Sequence, residues 1–203
     1  MFDLPTDLPA ELVPLSWLIG VWEGTGVIDY DVADTHYAGE FAHRVSFSHD
    51  GGSFLNYAAS AWLLHGDGED RTRTPLVSEM GYWRLSIPAG EGDAGPALLP
   101  ALADEPVRTV DDIEALRNAE GGFDIEALLV HSDGVSELYL GQVRGPRIDI
   151  ATDYVMRTAG SKPYAAASRL YGLVDNHLLW AWDIAALGQE LGSHASARLA
   201  KAE

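Results

Sequence analysis

Cysteine is absent from this chain of 203 residues, so a disulfide framework, a zinc–thiolate or iron–sulfur centre and a cysteine nucleophile are all excluded. Any chemistry has to come from another residue type or from a bound group. Positive charge is scarce as well: 13 Lys and Arg face 31 Asp and Glu, a formal net charge of −18. Such a surface favours solubility and repels nucleic-acid phosphate and anionic lipid, which argues against a nucleic acid or a membrane as partner. Long apolar runs are missing, since none reaches the roughly 18 residues of a membrane-spanning segment. The opening MFDLPTDLPAEL is acidic and broken by proline, unlike a secretory leader, and a cytoplasmic location is the expectation. Walker, Rossmann and G-x-S-x-G signatures are lacking too, and no carboxylate pair stands out among the 31 acids.

What is present is apolar and aromatic. A hydrophobic content of 47% with six Trp and eight Tyr is enough for one domain with a sizeable core. The most informative segment is residues 20–29, GVWEGTGVID, where three glycines surround Trp22 in G-x-W-x-G-x-G order. This pattern describes the start of a barrel strand: glycine serves where a strand bends or where another backbone or a flat ligand comes close, and Trp22 plugs a barrel end. After a polar interruption at 29–39, further strands are predicted over 40–47, 54–64, 77–87, 123–130, 135–143, 147–154, 164–174 and 178–184. Turn signals stand at His49-Asp50-Gly51-Gly52, Gly145-Pro146 and Asp175-Asn176. In the last of these strands Leu178, Trp180, Trp182 and Ile184 share one face.

Residues 10–15, bracketed by Pro9 and Pro14, read as a short helical turn capping one barrel end. Residues 88–106 read as a loop, and Thr109 followed by Asp111 and Asp112 supplies the hydroxyl cap and early acids of a short helix. Short turns between strands, with no long helical pattern, predict an all-β fold. The favoured form is an antiparallel up-and-down β-barrel of about ten strands, lipocalin- or fatty-acid-binding-like, with short terminal helical turns and an inserted loop and helix. The chain 1–203 is expected to be a single domain carrying a surface insertion at about 88–122.

A second segment, residues 178–201, LLWAWDIAALGQELGSHASARLAK, adds a resemblance. GVWEGTG near the start and AALGQELGSHASARL near the end together resemble the nitrobindin family of haem-binding β-barrels, and FSHDGGSFLNYAASAWLL, SEMGYWR and VHSDGVSELYLGQV are similar to successive strands of that family. The likeness covers most of the chain outside the insertion. It implies haem b as cofactor, with His194 as the proximal iron ligand and therefore as the catalytic, cofactor-binding and metal-binding residue. On residues alone a single histidine near a C-terminus is ordinarily exposed, so it is the flanking match that singles out His194. It is expected to follow the last strand and to precede a terminal helical turn. The family's haem-contacting threonine falls at Thr35, although its proline and aliphatic neighbours are replaced. His49 and His131 are assigned to hairpin turns, His36 and His43 flank the altered loop where they could touch a haem edge, and His65 and His177 read as exposed loop residues.

The activity implied by the resemblance is isomerisation of peroxynitrite to nitrate at ferric haem, with nitric oxide as a further ligand. A neutral imidazole donates its lone pair to iron and leaves the opposite face open, where the ferric ion acts as a Lewis acid. Trp22, Trp180 and Trp182 are candidates for the wall of a haem pocket and equally for plain core. Arg44, Lys162 and Arg198 are candidates to receive the propionates. The charge of −18 opposes approach of an anion. The alternative reading is a haem-free barrel that carries a small apolar ligand, because one scaffold hosts many functions. The sequence leaves a homodimer open.

Overall fold

Alternation with a period of two decides the architecture. The computed structural model describes residues 8–66, 68–90, 92–101 and 108–202; the first seven residues of the lead-in, and residues 91 and 102–106 of the predicted loop, lie outside them. Ten strands form: β1 (Gly20–Val32), β2 (Thr35–Ser48), β3 (Leu55–His65), β4 (Thr72–Leu85), β5 (Phe123–His131), β6 (Val135–Val143), β7 (Arg147–Arg157), β8 (Tyr164–Val174), β9 (His177–Ala186) and β10 (Gly192–Lys201). Each pairs antiparallel with the next, and β10 returns to β1 to close the barrel. Closure joins the first strand to the last, so neither is left as a sheet edge. In β9 the face made by Leu178, Trp180, Trp182 and Ile184 is the buried one. The Asp175-Asn176 turn has φ of +49° and +60°, the primed geometry that matches strand twist in a two-residue hairpin.

Two expectations are corrected. Residues after 192 do not form a terminal helical turn; they are β10, the strand that closes the barrel, with Ala195, Ala197 and Leu199 facing inward. Their small side chains have good helix propensity, but pairing on both sides with β1 and β9 overrides it. The polar segment 29–39 is likewise not an interruption, because β1 and β2 run through it as a hairpin that turns at Ala33 and Asp34.

One barrel end is shut by the N-terminal 3₁₀ segment Ala10–Leu18, whose Leu12, Leu15 and Leu18 are fully buried. Trp22 plugs the same end, its indole N–H donating to the Leu18 carbonyl at 2.7 Å. The glycines beside it are needed for close approach: a Cβ on Gly24 would lie 2.3 Å from the Arg198 carbonyl oxygen, and one on Gly26 would lie 2.2 Å from that of Ser196. A short helix, α1 (Val110–Glu114), is capped by the Thr109 and Asp112 side chains in reciprocal hydrogen bonds. Its Ile113 joins the core, and Arg108 reaches back to buried Glu11 at 3.5 Å. This part of the insertion therefore straps the 3₁₀ segment down. No helix among the described residues is long and apolar enough to cross a membrane.

Candidate functional site

The other end of the barrel opens into a cavity of about 390 Å³, within the range of small-molecule and cofactor sites. Ile28, Phe41, Val77, Trp180, Trp182 and Ile184 give it an apolar wall. His194 enters this wall through a fault in strand register. Ser193 pairs with Asp183 and Ala195 with Trp182, so His194 is the extra residue of a β-bulge. Strict alternation would put His194 on the outer face with Ser196 and Arg198; the bulge turns it inward, so that it lines the cavity beside Ala195. Its ring stacks on Tyr30, with centroids 3.7 Å apart and planes at 20°, and meets the edge of Trp182 at 6.0 Å. Burial lowers its pKa to about 4. Neither ring nitrogen has a hydrogen-bond partner among the described residues. At neutral pH this is an uncharged imidazole with its lone pair available.

A second neutral imidazole lines the same cavity. His43 on β2 is 5% exposed, and burial lowers its pKa to about 4. Its Nδ1 donates to the Ser60 carbonyl at 3.1 Å, which leaves Nε2 as an acceptor, buried and without a hydrogen-bond partner among the described residues.

Beneath these residues lies an ionic cluster from four strands. The Arg169 guanidinium donates to both oxygens of Glu79 at 2.7 and 2.9 Å and to Glu137 at 3.4 Å. His131 donates to Glu137 at 2.5 Å and lies 3.5 Å from Glu79. Tyr57 donates to Glu79, and Tyr139 and Tyr164 donate to Glu137. Burial alone would raise Glu79, but the adjacent Arg169 overrides it and holds the carboxyl at about 2. Burial alone would likewise lower His131, yet the two carboxylates raise it above its ordinary value. With His131 protonated, two anions face two cations and the cluster sums to zero. Arg169 also stacks over Trp182 at 4.6 Å, which ties the cluster to the indole that borders His194.

Comparison with known proteins gives this geometry a family. The model of the THAP4-like, heme-binding beta-barrel domain matches residues 11–201. The chain belongs to that family. A protein of Leifsonia xyli subsp. xyli named peroxynitrite isomerase is 65% identical over 203 residues, the whole of both chains. Another of that name from Clavibacter michiganensis subsp. michiganensis is 59% identical over 199 residues, 98% of each chain. The crystal structure of Rv2717c from M. tuberculosis shares the fold, with a TM-score of 0.65 at 24% identity across 99% of this chain and 100% of that one. The family resemblance carried by the two terminal motifs is borne out.

The cavity of this heme-binding barrel suits its cofactor. Among the described residues no group of three His, Asp or Glu side chains is placed to hold a bare metal ion. A porphyrin would bring the other ligands of its iron with it. The apolar wall suits the macrocycle. Of the three basic residues considered for the propionates, Lys162 alone lines the cavity; Arg44 is exposed and paired with Glu23, and Arg198 is exposed beside His177. Trp180 and Trp182 are wall residues, whereas Trp22 is core at the closed end. Thr35 is exposed at the tip of the β1–β2 hairpin and does not line the cavity; Tyr30 of the same hairpin does. His36 is exposed and His49 is half-buried in its turn, whereas His131, assigned to a turn from sequence, is a buried strand residue.

Proposed function

We propose that this chain is a haem b peroxynitrite isomerase in which His194 would hold the iron. The observation that carries this reading is the bulge that turns a neutral imidazole, free of hydrogen bonds, into an apolar cavity. The names of relatives identical at 65% and 59% over essentially the full chain support the activity. A carrier of apolar ligands has no use for such an imidazole in its wall.

Bound haem would supply a ferric Lewis acid able to promote rearrangement of peroxynitrite to nitrate and to take nitric oxide as a ligand. The chain's own part is positional. His194 holds one lone pair at a fixed place, and the Tyr30 stack and the Trp182 edge fix the plane of its ring. Trp180, Phe41, Ile28 and Ile184 exclude water from the macrocycle, so that escape and side reactions are suppressed. Lys162 is the cation available to a propionate.

The test is a hemin titration followed by absorption. Wild-type protein should develop a Soret band of histidine-ligated haem and convert peroxynitrite to nitrate, and His194→Ala should lose both. His43→Ala should keep the ligated spectrum, because it leaves His194 in place. Loss of the band in His43→Ala with retention in His194→Ala would assign the iron to the other imidazole and overturn the proposal.

A further inference from the structure

The bulge that carries His194 lies at the weakly held end of β10. The β1–β10 pairing stops where Ile28 faces Ala195, so residues 192–194 are held by β9 alone. Packing fixes their register poorly. Gly192 and Ser193 are exposed, and the first inward residues beyond the bulge, Ala195 and Ala197, are small. A strand end specified so weakly slips or frays, and a slip of one residue exchanges its two faces. At this end such a slip returns His194 to the outside of the barrel, so something other than core packing has to hold it.

We propose that Asp183 is a positioning residue for His194, clamping β10 one residue before the bulge so that the residue turned inward is the imidazole and not a neighbour. Asp183 is half-buried on the outer face of β9, directly opposite Ser193 of β10 on one side and Ser168 of β8 on the other. The Ser193 hydroxyl donates to one of its carboxylate oxygens at 3.2 Å, and the Ser168 hydroxyl donates to the other at 3.5 Å. One carboxylate thus spans three strands at the level of the bulge. The β8 contact and the half-buried site already restrict its rotamers, so little further entropy is lost when it takes the Ser193 hydroxyl. The acceptor is also ionised, which makes its hydrogen bonds stronger than those of a neutral pair.

The contacts on the ring do a different job. The Tyr30 stack and the Trp182 edge act on the imidazole only once it faces the cavity. Asp183 acts on the main chain just before it and decides which residue is turned in. It does not line the cavity, so it works through His194 and touches no bound group. The consequence for hemin rests on the reading of His194 as the iron ligand; the consequence for the hemin-free protein rests on strand register alone.

The first measurement uses hemin-free protein. The ring protons of His194, assigned by their loss in His194→Gln, should lie upfield in proton–carbon correlation spectra because the Tyr30 ring is stacked 3.7 Å away. Asp183→Ala and Ser193→Ala should move these signals toward those of a free histidine, and Asp183→Asn, whose amide oxygen still accepts from Ser193, should restore them. The second measurement is a Soret titration with hemin. Affinity should fall about three- to tenfold in the two alanine variants, the range of a single hydrogen bond, and return in Asp183→Asn. A general loss of stability neither shifts the His194 signals of folded protein nor is reversed by asparagine. Unmoved signals in both alanine variants would overturn the proposal, as would an Asp183→Asn protein that behaves like Asp183→Ala. Signals that move while hemin affinity stays at the wild-type value would support the clamp and overturn the His194 reading instead.

Discussion

His131 shows how a side chain with an ordinary solution pKa becomes a stability determinant once buried between two carboxylates. Its folded pKa lies above the ordinary 6.5, so the stabilisation it provides is complete below 6.5 and is lost as pH rises through the folded value. Glu79 and Glu137 work in the opposite sense. Their folded values lie below the ordinary 4.5, and their contribution disappears as pH falls, down to about 2 for Glu79. The cluster is therefore at full strength between the ordinary carboxylate and histidine values. Urea denaturation across pH should show wild-type stability falling on the alkaline side, and His131→Gln should flatten that limb while lowering the plateau. Parallel profiles for the two proteins would show that His131 is not the titrating group. These residues were hidden in the sequence because they come from different strands; Arg169 and Glu79 stand 90 positions apart. A signal was nevertheless present: Glu137 falls in phase with Val135 and Tyr139, and Arg169 with Ala167 and Tyr171, so each is a charge at an inward position. His194 was legible for a different reason, since its flanking segment carries the family pattern.

At the scale of elements, most strands were legible because period-two alternation and turn residues are local. β10 was not. Its Ala and Arg content suits a helix, and only the partners on either side, which are distant in sequence, impose the extended form. The bulge that aims His194 was hidden as well, because a bulge is a mismatch between two strands and cannot be seen in one. The glycines of β1 are the clearest local record of a tertiary constraint. At Gly26 an added Cβ would meet the Ser196 carbonyl oxygen at 2.2 Å and the Phe41 ring at 2.7 Å, so either the β1–β10 pairing or the cavity wall has to move. Gly26→Ala should destabilise the barrel by about 1–3 kcal/mol, the usual cost of overpacking a filled interior, measured as a lower urea midpoint. It should also weaken hemin binding, since Phe41 lines the cavity. An unchanged midpoint would mean that the strand pair relaxes freely and that the motif has no packing role.

Over the whole molecule, a closed end and an open end divide the work. The 3₁₀ segment, Trp22 and α1 shut one end with apolar and ionic contacts, and the chemistry-bearing side chains gather at the other. The net charge of −18 acts at long range against an anionic ligand. Inside the cavity the opposition is smaller, because Glu79 in its lining is ion-paired with Arg169 and Lys162 shares the lining with Asp133. The barrier to an anion is thus an approach barrier that salt can screen. Since the screening length shrinks from about 30 Å at 0.01 M to about 10 Å at 0.1 M ionic strength, association of azide or peroxynitrite with the hemin-loaded protein should speed up across that range, as stopped-flow absorption would show. Lys162→Gln should slow association at each ionic strength without removing the acceleration, because it deletes a local attraction and leaves the global repulsion in place. A rate that falls as salt is added would mean that Lys162 already dominates the field felt by the incoming anion, and that the acidic exterior is irrelevant to its capture.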